Sequence, residues 1–334
     1  MSNANTKHAT NGFSKSSLNP PFLLAAISVM TCLPAYGSSD GIDNSANANQ
    51  PENPVELQAW TIKTTPQLSY SAYKNSATRA QLSSVGVFTD FQYLERGGVT
   101  LGATRSNLKM KAGLETLQQN NIYVSGQMNF TPDLLPGNIK FRTDIHRANN
   151  NDVTNETNGV YAVAPQISFL NFARTYYLDL GYARSKYGDS YTGNGSLAVT
   201  QWTPTVGFGF NQGMDWLQLR AYEIHVSNAL RGQNKSGSTA LETKLTHYLA
   251  GGNGMPAQVQ AAALLGQRSY AVDSDSGSIY NLADRQRGSA SLGALWKLAT
   301  HTQMLIQAGQ EKYQNSAGTN YSATNVYLGL TRQW

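Results

Sequence analysis

The chain has 334 residues, a formal net charge of +5 and a charged fraction of only 13%, with a mean hydropathy of −0.39. Low charge with negative hydropathy means many uncharged polar side chains. That balance suits strands with one apolar and one polar face, not a water-soluble helical protein, in which about a quarter of residues are charged. A net charge this small, with no basic cluster, argues against a nucleic-acid partner.

The N-terminus reads as a secretory signal over 1–37. Lys7 and Lys15 make a basic leader without acids, and Phe22 to Leu33 is an apolar run, short of the ~20 residues that a membrane-spanning helix needs. Ala35 and Gly37 then place small residues where a signal peptidase cuts. The one cysteine, Cys32, lies inside this leader. The mature chain is therefore expected to use no disulfide, thiolate nucleophile or cysteine metal site. Residues 38–57, rich in Ser, Asn, Asp and Pro, read as a flexible periplasmic linker.

From 58 to 334 the dominant period is two. In the stretch from Asn138 to Arg147, Ile139, Phe141, Thr143 and Ile145 share one face, and Lys140, Arg142, Asp144 and His146 share the other. The alternation predicts about fourteen strands, at 58–73, 83–94, 97–109, 121–131, 137–147, 159–170, 174–187, 196–210, 214–227, 238–249, 256–270, 288–298, 302–313 and 323–334. Short connections alternate with long polar ones. That is the up-and-down meander of an outer-membrane barrel, with tight periplasmic turns and longer external loops. An even strand count puts both termini on the periplasmic side. Closure follows from backbone chemistry, because lipid offers no water to pair an open sheet edge. Trp60, Tyr70, Tyr176, Tyr182, Trp202 and Phe210 fall where interface belts are expected. The fold class is thus all-β, a single antiparallel transmembrane barrel in outer-membrane lipid.

The last strand ends in Trp334, preceded at alternate positions by Leu330, Leu328 and Val326. It resembles the C-terminal signal of Gram-negative outer-membrane β-barrel proteins, and the resemblance implies the barrel-assembly machinery as a partner. Arg332 departs from the pattern, since an apolar residue or Tyr is usual there. The strand number and terminal strand also resemble, faintly, the barrel of surface lipoprotein assembly modifiers and related export barrels. Those usually carry an N-terminal helical repeat domain, and no repeat of about 20–50 residues is evident in this sequence.

If the apolar parity faces lipid, the other parity lines a lumen. Lys140, Arg142, Asp144, Asp179, Arg220, Glu242, Lys244 and Arg268 are the selectivity residues expected there, with Asp90, His146, Lys297 and Glu311 beside them. Neither charge sign dominates. The mixture suits a hydrated passage for polar cargo, porin-like or an export route, or else a salt-bridged filling of the interior. A second reading is enzymatic. His225 and Ser227 share a strand face and, with Asn228, resemble the His-x-Ser-Asn stretch of outer-membrane phospholipase A. A His beside a Ser would serve nucleophilic catalysis, but the neighbouring strand offers Thr239 and Thr243, not the Asn that the family uses to orient its His. A third reading is surface adhesion through the external loops, 272–287 included. Asp273 and Asp275 hint at calcium, yet the EF-hand spacing is not met. They read better as solvated loop acids or acids meeting surface cations. His146, His247 and His301 form no zinc spacing. No cofactor and no metal are expected.

Overall fold

The computed structural model describes residues 60–334, apart from Glu95, Ala112, Asn253, Leu282 and Ala283. The expected leader and most of the expected linker lie outside the described residues. Fourteen long strands close into one antiparallel barrel. They are β1 (Trp60–Lys74), β2 (Arg79–Tyr93), β3 (Gly97–Met110), β4 (Leu117–Phe130), β5 (Gly137–Asn150), β6 (Val160–Asn171), β7 (Tyr176–Ser190), β8 (Gly195–Phe210), β9 (Asp215–Val226), β10 (Gly237–Tyr248) and β11 (Gln258–Arg268). After them come a two-residue pair, β12 (Val272–Asp273) and β13 (Ser278–Ile279), and then β14 (Arg285–Ala299), β15 (Thr302–Gln314) and β16 (Asn320–Gln333). Each long strand pairs with its neighbour in sequence, and β11 passes directly to β14. The β12–β13 pair forms a separate hairpin within the β11–β14 connection.

Period two becomes sidedness. Leu68, Val85, Leu101, Ile122, Phe141, Leu178, Leu241, Leu292 and Ile306 all stand exposed on the outside. An exposed apolar band of this extent needs lipid around it. On the opposite parity, β5 buries Asp144, His146 and Ala148 in succession. This is the architecture of an outer-membrane β-barrel, apolar outside and polar in much of its interior.

Closure runs through the first and last strands. Leu68 faces Leu328 and Tyr70 faces Val326 across the seam, and the Trp334 N–H donates to Ile62 O at 2.9 Å. Pro66 does not break this seam. Its missing N–H interrupts only the β16 ladder, where Thr65 and Pro66 have no ladder partner, while its pairing to Val87 of β2 continues. A hydroxyl pair, Thr65 Oγ1 to Thr331 Oγ1 at 2.9 Å, bridges the gap. Pro165 and Pro204 likewise interrupt one ladder each and keep the other.

Two boundaries differ from expectation in a way that matters. The strand expected at 256–270 stops at Arg268, and the one expected at 288–298 begins at Arg285. The intervening segment, 269–284, is not an external loop. It turns into the barrel, where Tyr270, Ala271, Val272, Ile279, Tyr280 and Asn281 are buried.

Candidate functional site

The lumen and the segment inside it form the candidate site. Three strands supply its cationic wall. Arg142 of β5 lies 2.8 Å from Asp144 and donates to Tyr123 Oη at 2.7 Å. Arg220 of β9 is fixed by a 3.0 Å bond from its Nε to Thr205 Oγ1. Lys244 follows on β10, on the same inward parity as Glu242. The tip of the inserted hairpin meets all three. Asp275 lies 2.9 Å from Arg220 and 3.2 Å from Lys244. Asp273 is 3.9 Å from Arg220, and Arg142 donates to Ser274 O at 2.6 Å.

The tip is shaped by its own backbone. Asp273 Oδ1 accepts the Asp275 N–H at 3.0 Å, a side-chain turn that holds the second carboxylate toward the wall. Gly277 has φ +59°, the left-handed region that favours glycine, and a side chain there would press on Phe88 and Tyr123. The two carboxylates respond differently to this setting. Burial, with Glu242 and Asp275 nearby, pushes the Asp273 carboxyl up. Burial would also raise Asp275, but Arg220 and Lys244 outweigh it and hold that carboxyl well below the usual range.

The stem of the segment is anchored apart from the tip. Gln201 of β8 reads the Val272 backbone with both ends of its amide: Nε2 donates to Val272 O at 2.7 Å and Oε1 accepts Val272 N–H at 3.0 Å. Tyr270 donates to Arg231 O at 2.9 Å, and Arg231 is itself paired with Glu156 at 2.8 Å. On the far side, Asp284 pairs with Arg79 at 2.7 Å and accepts Tyr321 Oη–H at 2.6 Å. The Arg268 guanidinium lies over Tyr280, 4.0 Å from the ring centre, with Glu242 at 3.8 Å. Buried alanines on the wall, Ala148, Ala162, Ala164, Ala183 and Ala240, leave room for the apolar stem.

The structure places all eight expected selectivity residues on the inward parity, but it does not gather them into one ring. Arg142, Asp144, Arg220 and Lys244 cluster at the hairpin tip. Glu242 and Arg268 form a second group that continues through Gln286, held 3.1 Å from Glu311. Asp179 is bound within its own wall by Gln166 and Tyr177. Lys140, two residues before Arg142 on the same face, sits closer to the end of the barrel that carries the termini.

Two expectations change. Asp273 and Asp275 are not acids of an external loop; they lie inside the barrel, partly exposed to the lumen, and dock on lumen cations. Within the segment 272–287, residues 272–281 are not presented outward as an adhesive loop would need. Sequence reading also missed Tyr270 and Tyr280 as anchors. Their signal was the apolar content of the connection after β11, where Tyr270, Val272, Ile279 and Tyr280 are too many for a solvated loop. His225 and Ser227 do project outward, as expected, but no hydrogen bond joins them among the described residues. His225 Nε2 lies 3.2 Å from Glu223 Oε1, and Ser227 Oγ accepts the Ala198 N–H at 2.9 Å.

The terminal signal is arranged as its alternation implies. Val326, Leu328 and Leu330 face outward, while Tyr327 turns in and donates to Gln67 Oε1 at 3.0 Å. Arg332, the departure from the pattern, lies over the Trp334 ring at 4.5 Å from its centre. It shares the outward face with the tryptophan and stacks on it as a cation on an aromatic ring.

No protein-family model matches the chain and no curated protein matches its sequence. Solved outer-membrane proteins align with it over most of their length. The Pseudomonas putida toluene transporter TodX aligns at 6% identity over 83% of this chain and 89% of its own, with a TM-score of 0.46. The Acinetobacter baumannii outer membrane protein Omp33 aligns at 7% identity over 83% and 100%, with a TM-score of 0.41. The translocator domain of the autotransporter NalP from Neisseria meningitidis aligns at 12% identity over 86% and 90%, with a TM-score of 0.39. Likeness at this level assigns the chain neither a ligand nor an activity.

Proposed function

We propose that the protein is an outer-membrane channel for small polar solutes, held closed or narrowed by its own inserted hairpin. One observation carries this reading. An inserted loop occupies the interior, its tip on lumen cations and its stem on an amide of the wall and on buried apolar residues. Barrels of about eight strands are filled by their own side chains, while those of sixteen or more leave an aqueous channel. Fourteen strands leave room that the wall does not fill, and the hairpin occupies it. The ion pairs of the tip can exchange with water, while the apolar stem keeps the hairpin within the lumen.

Transport as part of an export route, the finer reading that the lipoprotein-assembly resemblance implies, would need a wide clear bore. The seated hairpin favours a small solute instead. A lipid hydrolase built on Ser227 and His225 would need the His turned from Glu223 to Ser227. The channel reading is tested by recording ion conductance in planar bilayers. Current that changes its ion preference in Arg142→Glu supports it. A trace unaltered by charge reversal in the lumen would exclude passage by that route.

A further inference from the structure

Among the inward features, one pairs two unlike surfaces in a fixed order. Toward the loop end the lumen wall is apolar, with Ala162, Ala183, Val199, Ile224 and Leu264 buried against the hairpin stem. Just beyond it stand Arg220 and Lys244, with Arg142 across the lumen. The hairpin matches this order. Tyr270, Val272, Ile279 and Tyr280 cover the apolar wall, and Asp275 reaches the cations.

We infer that this is a binding site for a carboxylate carried on an apolar body, and that the hairpin occupies it as a tethered stand-in. The inference rests on the channel reading and narrows its polar solutes to those that carry an apolar body behind a carboxylate head. If the hairpin lifts, the Asp275 pairs of Arg220 and Lys244 must be replaced by water or by another anion. Buried cations that lose this carboxylate favour another anion strongly. The neighbouring wall acids are each engaged elsewhere: Asp144 by Arg142 at 2.8 Å, Glu242 by Arg268 at 3.8 Å, and Asp179 by Gln166 and Tyr177. A carboxylate also matches the planar fork of Arg220. The apolar wall then discriminates. A small hydrophilic anion would leave Ala162, Val199, Ile224 and Leu264 facing water once the stem lifts. A solute with a hydrocarbon body covers them, replacing what Val272 and Ile279 cover now.

Competition between solute and hairpin is directly measurable. The only cysteine in the chain is Cys32, so a Cys32→Ser background allows one spin label at Ser274→Cys on the hairpin tip. Hexanoate, hexanamide and acetate are added to the full chain, folded in detergent, and the label's mobility is followed by electron paramagnetic resonance. Hexanoate is expected to mobilise the label at a concentration roughly tenfold or more below either analogue, since a charge-assisted bond and the burial of several methylenes each contribute at least that factor. The Arg220→Gln/Lys244→Gln double variant, checked for folding by gel mobility before and after heating, should lose the preference of hexanoate over hexanamide. Asp275→Asn should bind hexanoate more tightly than the parent, by calorimetry, because the competing carboxylate is gone. Equal potency of the three solutes, or a label that none of them moves, overturns the site. A hexanoate response in a protein whose hairpin-deleted form passes no current would sink the channel reading and leave the site standing.

Discussion

Replacing Asp275 with asparagine removes one carboxylate from two cations while changing almost no volume. The structure sets the scale of the effect. Asp275 lies 2.9 Å from Arg220 and 3.2 Å from Lys244, and both cations are nearly buried while the aspartate is 27% exposed. Removing one partner of a buried pair costs about 3–5 kcal/mol, and the partial exposure points to the lower end. A loss of about 3 kcal/mol lowers the ratio of seated to lifted tips roughly a hundredfold. The stem opposes release. Tyr270, Val272, Ile279 and Tyr280 are buried, and side chains of this size contribute about 1.5–3 kcal/mol each. Stem anchoring therefore exceeds the tip loss. The variant should keep its hairpin inside and lift only the tip more often. Single-channel recording separates the two cases. Asp275→Asn should open far more frequently than the parent without a change in the size of each opening. An unchanged opening frequency would refute the ion-pair account of the seat. A larger unit conductance would show that the tip, not the stem, holds the whole hairpin.

Four further outcomes follow from other parts of the structure. Arg142→Glu places a carboxylate beside Asp144 and the hairpin tip, and the reversal potential in a salt gradient should shift toward cation preference. Trp334→Ala should slow barrel assembly, read as a smaller fraction of heat-modifiable folded protein at early times. Arg332→Ala should lose only about 0.5–1 kcal/mol of unfolding stability, the usual worth of an exposed cation–π contact, and an effect as large as that of Trp334→Ala would mean Arg332 has another role. Ser227→Ala should leave any release of fatty acid from phospholipid unchanged, whereas a release that disappears in this variant would establish the hydrolase reading in place of the channel.

The barrel was legible because one physical rule repeats along the chain. Each strand alternates lipid-facing and inward residues, so parity alone put Lys140, Arg142, Asp144 and Lys244 inside and Val326, Leu328 and Leu330 outside. The inserted hairpin was not legible by the same rule. Its tip, from Asp273 to Gly277, has the composition of a solvated loop, and composition carries no information about which cations lie across the lumen. Those cations come from β5, β9 and β10, far apart in sequence from the hairpin they hold. The alanines of β5, β6, β7 and β10 gave a weaker hint. Small apolar residues on an inward face make room for something, but only the register between strands shows that they face one space. Arg332 is a similar case. It breaks the apolar pattern of the last strand when read singly, and it becomes intelligible only as a partner of Trp334, two residues on and on the same face.

The most direct test of the account removes the hairpin and keeps the wall. β11 and β14 are hydrogen-bonded neighbours, with Arg268 facing Gln286, so deletion of 272–279 leaves a connection long enough to join them without disturbing the barrel. The account predicts that the deleted protein, reconstituted in a planar bilayer, passes a steady current several-fold larger than the brief openings of the full chain. A deleted protein that folds, inserts and still passes no current would contradict the claim that a passage lies beneath the hairpin.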